Sequence, residues 1–112
     1  MDDRISALLD RHHARTSVEV DAILGEVKHL ARSRCGPGAD LIRRVHTLKG
    51  SSGTMGYGAI FAAAERLEAA LTTGGPAPDR GDLAVIVASA IDLLRARDAT
   101  GVRDSSLVGK FG

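Results

Sequence analysis

Apolar residues recur every three or four positions in four separate stretches of the chain, the spacing of one face of an α-helix. These stretches span about Ser17–Ser33, Pro37–Met55, Tyr57–Thr72 and Asp82–Arg97. Their apolar positions are Val20, Ile23, Leu24, Val27, Leu30 and Ala31, then Leu41, Val45, Leu48 and Met55, then Ile60, Ala63, Ala64, Leu67 and Leu71, then Leu83, Ile86, Val87, Ala90, Ile91 and Leu94. The pattern predicts four amphipathic helices.

The segments between the stripes are short and rich in glycine and proline, which predicts turns. They are Cys35-Gly36-Pro37-Gly38, the pair Gly56 and Gly58, and a loop from Gly74 to Gly81. Asp82 then caps the last helix. Four helices with short connections predict an all-α fold, an antiparallel up-down four-helix bundle.

Both ends of the chain lie outside the four stripes. Asp2 and Asp3 can cap a short extra N-terminal helix whose apolar side is Ile5, Leu8 and Leu9. Thr16-Ser17 offers a second cap, so a true break and one long helix both remain open. We expect the bundle to occupy residues 1–100, and residues 101–112 to be a flexible tail or the start of a linker.

Composition supports a small helical domain and excludes several functions. The 112 residues are 44% hydrophobic but only 3% aromatic, and Lys plus Arg (15) nearly balances Asp plus Glu (14). A net charge of +1 without a basic stripe argues against nucleic-acid binding. With the single cysteine Cys35, no signal-peptide pattern and no apolar run of about 20 residues, we expect a cytoplasmic protein that does not bind a membrane.

The second predicted helix carries one histidine on its outer side. At 100° per residue, Leu41, Val45, Leu48, Ser52 and Met55 share the core face. His46, Lys49, Gly50 and Gly53 fall in another sector, with Ile42 beside them. The helix therefore presents His46 to solvent.

The glycines on that side need an explanation, because a glycine inside a helix costs about 1 kcal/mol relative to alanine. Their missing side chains let the backbone of a second protein approach the imidazole. Lys49 places a cation near whatever group the ring carries, which suits a phosphoryl group. Two alternatives remain at this point: His46 is an ordinary solvated histidine, or Gly50–Gly53 is a helix end and loop.

Other chemistry finds no support in the residues. No Gly-Lys-Ser/Thr follows at P-loop spacing, and adjacent histidines His12 and His13 point 100° apart, which does not make a two-ligand metal face. No serine or cysteine lies in a recognisable nucleophile motif. We therefore predict no metal site and no hydrolase activity.

The run His46-Thr47-Leu48-Lys49-Gly50-Ser51-Ser52-Gly53 resembles the signature of histidine phosphotransfer (HPt) domains of bacterial phosphorelays. In that family the signature lies on the second helix of a four-helix bundle, and the similarity covers about residues 17–97. The resemblance implies that His46 accepts a phosphoryl group, that Lys49 stabilises its charge, and that Ile42, Gly50 and Gly53 contact the partner.

A finer resemblance is to the N-terminal phosphotransfer domain of chemotaxis-type histidine kinases, carried by Gly53-Thr54-Met55-Gly56-Tyr57. There a glutamate 22 residues after the histidine bonds the ring, and the matching residue is Glu68. It would hold Nδ1–H and leave Nε2 free to attack phosphorus. Those kinases often have a second histidine three residues before the glutamate, where this chain has Glu65, a departure from the closer pattern.

The resemblance implies a histidine phosphotransfer module of a two-component phosphorelay rather than a self-sufficient enzyme. Its partners would be a response regulator receiver domain and a histidine kinase, and Mg²⁺ would come with the partner because the module has no cofactor of its own. We expect a monomer. One alternative is the N-terminal domain of a larger chemotaxis-type kinase, phosphorylated by that kinase's ATP-binding domain. Another is a structural helical bundle without phosphotransfer.

Overall fold

The computed structural model describes residues 3–111, with side chains described through residue 109. Every regular element in this range is helical. The elements are α1 (Asp3–Ser33), α2 (Ala39–Thr54), α3 (Gly58–Thr73), α4 (Arg80–Ala99), a 3₁₀ helix (Val102–Asp104) and α5 (Leu107–Phe111). The four long helices lie where the apolar stripes predict them.

The four long helices form the predicted bundle around one apolar core. Helix α3 packs closely on α2 and α4, and α4 packs on α1, whereas α1 and α2 make fewer direct contacts. The core residues common to prediction and structure are Val20, Ile23, Val27, Leu30, Leu41, Val45, Leu48, Ile60, Ala63, Ala64, Leu67, Leu71, Ile86 and Ala90. No helix within the described range combines the length and the apolar character that crossing a bilayer requires.

Two arginines tie α1 to the helices on either side of it. Arg44 of α2 contacts Glu19 at 2.9 Å and Glu26 at 3.0 Å, across the looser α1–α2 junction. Arg97 of α4 donates to the backbone carbonyl of Ser17 at 2.9 Å and pairs with Asp21. These bonds bridge α1 to α2 on one side and to α4 on the other.

The short extra N-terminal helix is a correction, because its residues form the first half of α1 without a break. Thr16, the alternative cap, is 4% exposed inside this helix, and its hydroxyl lies 3.1 Å from Nε2 of His12 one turn earlier. Leu9 is fully buried, as the apolar stripe predicts. Asp3 is the first described residue of α1, and Asp2 lies outside the described residues.

The start of α4 and part of its buried face also differ from prediction. Asp79 is the N-cap, and its carboxylate accepts a hydrogen bond from the backbone N–H of Asp82, the third helical residue. The carboxylate of Asp82 in turn accepts from the backbone N–H of Asp79. Ile91 is 38% exposed, and Leu93 is buried in its place. The apolar residues of α4 are spread over most sides of the helix, so the sequence pattern alone could not identify the face that lies in the core.

Residues 101–112 are predicted to be a flexible tail or the start of a linker, and part of this segment, from Val102 to Val108, contacts the bundle. The hydroxyl of Tyr57 donates to the Val102 carbonyl at 2.7 Å, and the Ser106 backbone N–H donates to the Gly56 carbonyl at 2.8 Å. Ser105 is 4% exposed and donates to the Met55 carbonyl. This segment therefore packs on the α2–α3 turn, although the domain boundary itself stays a prediction.

Candidate functional site

His46 lies on the solvent side of α2, in the middle of the helix. Its neighbours Val45 and Leu48 are 0% and 3% exposed and anchor the opposite side in the core. The side chain of His46 is 67% exposed. The apolar pattern of α2 thus fixes the direction of the imidazole, and a second protein can reach it.

Glu68 of α3 holds one edge of the imidazole. Its Oε2 lies 2.6 Å from Nδ1 of His46, across the contact between the two helices. The hydrogen bond from Lys49, above all, lowers the pKa of Glu68, and the bond from His46 lowers it further against the opposing effect of desolvation. The carboxylate is therefore ionised near neutral pH and can only accept, so Nδ1 carries the proton. In the neutral ring this leaves the lone pair on Nε2.

Lys49 bonds to the same carboxylate. Its Nζ donates to Oε1 of Glu68 at 2.6 Å, and both side chains are largely covered, at 21% and 19% exposure. The expectation placed Lys49 beside the group on the ring, but the structure places its ammonium on the far oxygen of Glu68. In this arrangement Lys49 stabilises the charged form of Glu68 and fixes the carboxylate that orients His46.

The pattern of α3 explains why Glu68 reaches the ring. Ala64, Leu67 and Leu71 are buried in the core, so Glu68 falls at the margin of the buried face beside α2. Its position there is half-buried, while Glu65 on the same helix is exposed. The sequence contained a signal for the Lys49–Glu68 contact. If neighbouring helices α2 and α3 bring His46 next to Glu68, then Lys49, one turn after His46, also lies close to Glu68.

The two glycines on the histidine side differ in their surroundings. A Cβ on Gly50 would meet nothing within 4 Å, so this position is open, as predicted. A Cβ on Gly53 would lie 3.0 Å from Cδ2 of Phe61. Gly53 therefore makes room for an aromatic ring of the same chain, a contact that sequence reasoning missed. Ile42 is half-buried and packs against the core.

The site offers a nucleophile and the hydrogen bonds that hold it. Among residues 3–111, no three side chains of His, Cys, Asp or Glu come together as a metal site. The paired His12 and His13 instead contact Tyr57, with ring centroids 5.5 and 6.2 Å away. What the geometry supplies at His46 is an exposed imidazole nitrogen whose ring is held in one orientation and one tautomer.

Comparison with known families agrees with this arrangement. The family model described as "Hpt domain" matches residues 13–97, most of the chain, including α2, α3 and almost all of α4. No curated protein and no solved structure showed significant similarity to the chain. The chain therefore belongs to the Hpt domain family and is a histidine phosphotransfer module of a phosphorelay.

Proposed function

We propose that Nε2 of His46 is the atom that accepts and donates the phosphoryl group. The observation that carries the proposal is the bonded chain from Lys49 through Glu68 to Nδ1 of His46, with 2.6 Å at each link. A purely structural surface histidine has no need of an ionised partner braced by a lysine. In the neutral ring, that partner holds the proton on Nδ1 and leaves the lone pair on the exposed nitrogen, Nε2.

The transfer step follows from this protonation state. The Nε2 lone pair forms a bond to phosphorus, while the bond between phosphorus and the carboxylate oxygen of a donor aspartate breaks and its electron pair stays on the carboxylate. The ring becomes positively charged and keeps its Nδ1 proton, so no proton has to move. The Glu68 carboxylate, 2.6 Å from Nδ1, stabilises that developing charge.

The partner is a response regulator receiver domain, or a histidine kinase that charges the module. A receiver would supply the aspartate, and the Mg²⁺ that phosphoryl transfer requires would travel with it or with the kinase's ATP. Exposed His46 and open Gly50 supply the centre of the docking surface, because no side chain at position 50 holds the partner away. Ile42 adds apolar area at its edge.

A second candidate is the N-terminal phosphotransfer domain of a chemotaxis-type kinase. The specific observation in its favour is Glu68, which lies at the spacing found in that group and contacts the ring. Glu65, at the position where those kinases often have a histidine, is exposed and departs from their pattern. In this candidate the phosphoryl group comes from ATP in the kinase's own catalytic domain rather than from a receiver aspartate.

Phosphotransfer profiling separates these sources. The chain would be incubated with Mg²⁺ and a panel of phosphorylated receivers from the host, and in parallel with the host's kinases and ATP, and initial rates of labelling would be compared. Fast reversible exchange with a receiver supports the relay module. Labelling by a chemotaxis-type catalytic domain, with slow labelling by every receiver, supports the second candidate. Absence of labelling in both panels contradicts phosphotransfer.

A further inference from the structure

The outer nitrogen of His46 faces away from the residues that hold the ring. Nδ1 is bonded to Glu68 on the α3 side, and Lys49 lies on that side too, with its Nζ 2.6 Å from the same carboxylate. Nε2 is on the opposite edge of the imidazole. A phosphoryl group on Nε2 would therefore lie away from Lys49, where its negative charge needs another cation.

Arg43 is placed to supply that cation. It precedes His46 by three residues on α2, and side chains at this spacing are helix neighbours with Cβ atoms about 5–6 Å apart. On the helical wheel Arg43 lies about 60° from His46 on the side opposite Lys49, about 20° beyond Gly50. Its side chain is 73% exposed.

The ion pair that Arg43 already makes can be exchanged for another one. Arg43 pairs with Asp40 one turn earlier, and the Asp40 side chain is 87% exposed. An exposed pair of this kind contributes little to stability. By contrast, Arg44 is tied to both Glu19 and Glu26 of α1 and is less exposed, at 40%. Of the two adjacent arginines, Arg43 is the one that can turn toward a new anion.

We propose that Arg43 binds the phosphoryl group on Nε2 of phosphorylated His46, exchanging Asp40 for the phosphoryl oxygens. A planar guanidinium can bond two of these oxygens through parallel N–H groups, a geometry that a lysine ammonium lacks. The inference rests on the proposed function of His46 and adds the residue that stabilises the phosphorylated state. The two cations of the site then have different roles: Lys49 acts through Glu68, and Arg43 acts on the phosphoryl group.

The test uses phosphoramidate, a small donor that labels histidine without a partner protein: Nε2 bonds to phosphorus as the P–N bond breaks and ammonia leaves. The ³¹P signal of the labelled chain is then titrated with pH to obtain the pKa of the phosphoryl group. Arg43→Ala and Arg43→Gln should raise that pKa by about half a unit or more, because they remove a cation that favours the dianion. Arg43→Lys should recover part of the shift.

Arg32→Ala is the matched control, since it removes an exposed arginine on α1 and the same net charge. It should leave the titration unchanged. The role of Arg43 would be overturned if Arg43→Ala left the pKa of the phosphoryl group at its wild-type value, or if Arg32→Ala raised that pKa equally. If Arg43 served only in partner docking, Arg43→Ala would slow transfer from a receiver but leave the pKa of the phosphoryl group unchanged, which would also overturn the proposal. If the wild-type chain itself fails to label at His46, the proposed function fails, a result distinct from either of these.

Discussion

Nδ1 of His46 and Oε2 of Glu68 lie 2.6 Å apart, joining the helix that carries the imidazole to the next helix of the bundle. Residue 46 is fixed by the core face of α2, and residue 68 by the core face of α3. The orientation of the ring is thus a consequence of how two apolar stripes pack. The packing of the bundle and the chemistry of the site are linked through this contact and through the bond from Lys49 to the same carboxylate.

Replacing Glu68 with Gln should slow phosphorylation of His46 by roughly tenfold or more. A charge-assisted hydrogen bond contributes about 1.5–3 kcal/mol, and 1.4 kcal/mol corresponds to a factor of ten. The amide can also donate to the ring and favour the wrong tautomer. Initial labelling rates with phosphoramidate and with a phosphorylated receiver measure the effect.

Glu65→Gln is the control for that variant, since Glu65 is an exposed carboxylate on the same helix. It should label at the wild-type rate.

Lys49→Ala should slow labelling, as Glu68→Gln does, and the double variant should label only slightly more slowly than Glu68→Gln alone. Independent, additive losses would show that Lys49 does not act through Glu68.

Gly50 and Gly53 should respond differently to alanine. Gly50→Ala should raise the free energy of unfolding by up to about 1 kcal/mol, because the helix gains propensity and the added Cβ meets nothing. Gly53→Ala should gain less or lose stability, because its Cβ would lie 3.0 Å from the ring of Phe61. Urea denaturation followed by circular dichroism measures both.

The larger substitution Gly50→Leu tests the docking role of the open surface. It should stay folded and label normally with phosphoramidate, yet exchange with a receiver at least about tenfold more slowly, because a clash of about 1.4 kcal/mol already gives that factor. Equal exchange rates for Gly50→Leu and wild type would place the partner elsewhere on the molecule.

Gly56→Ala should destabilise the chain more than Gly75→Ala does. Both glycines have positive φ, +79° and +62°, so both variants bear a backbone cost of about 1–3 kcal/mol. Only at Gly56 would the new Cβ also meet Ser106, at 2.8 Å from its backbone nitrogen. Thermal unfolding of the two variants compares the losses, and equal losses would mean that the Cβ at position 56 is accommodated without a cost from the Ser106 contact.

The free energy of unfolding should fall as pH drops below neutral, partly through His12. Burial, and then the nearby charges of Arg15 and His13, lower the pKa of His12 from its usual 6.5. Below pH 6.5 the unfolded chain takes up a proton that the folded chain resists, so stability is lost as pH falls toward the lowered folded-state pKa. His12→Gln should be less stable at pH 8 but show a shallower decline from about pH 7 to 5.

Much of this arrangement could be predicted from the sequence because apolar spacing reports which face of a helix is buried. That spacing located all four long helices and directed His46 outward. The family resemblance added the spacing to Glu68, and the contact is present. The roles assigned to His46, Lys49 and Glu68 in transfer stay predictions.

The failures share a physical cause: they depend on tertiary contacts that spacing does not encode. Thr16 resembled a helix cap, yet it is buried inside α1. The contacts of the C-terminal segment were missed for the same reason, because its polar sequence gives no sign that Val102 and Ser105 bond to residues of the α2–α3 turn.

The central claim, that His46 carries the phosphoryl group, is tested most directly by acid-labile labelling of His46→Gln. His29→Gln serves as the control, because His29 is an exposed helix histidine on α1. Both variants should retain the helical circular dichroism spectrum of the wild type. We predict that His29→Gln takes up acid-labile phosphate at the wild-type level and that His46→Gln takes up none; wild-type labelling of folded His46→Gln would contradict the account.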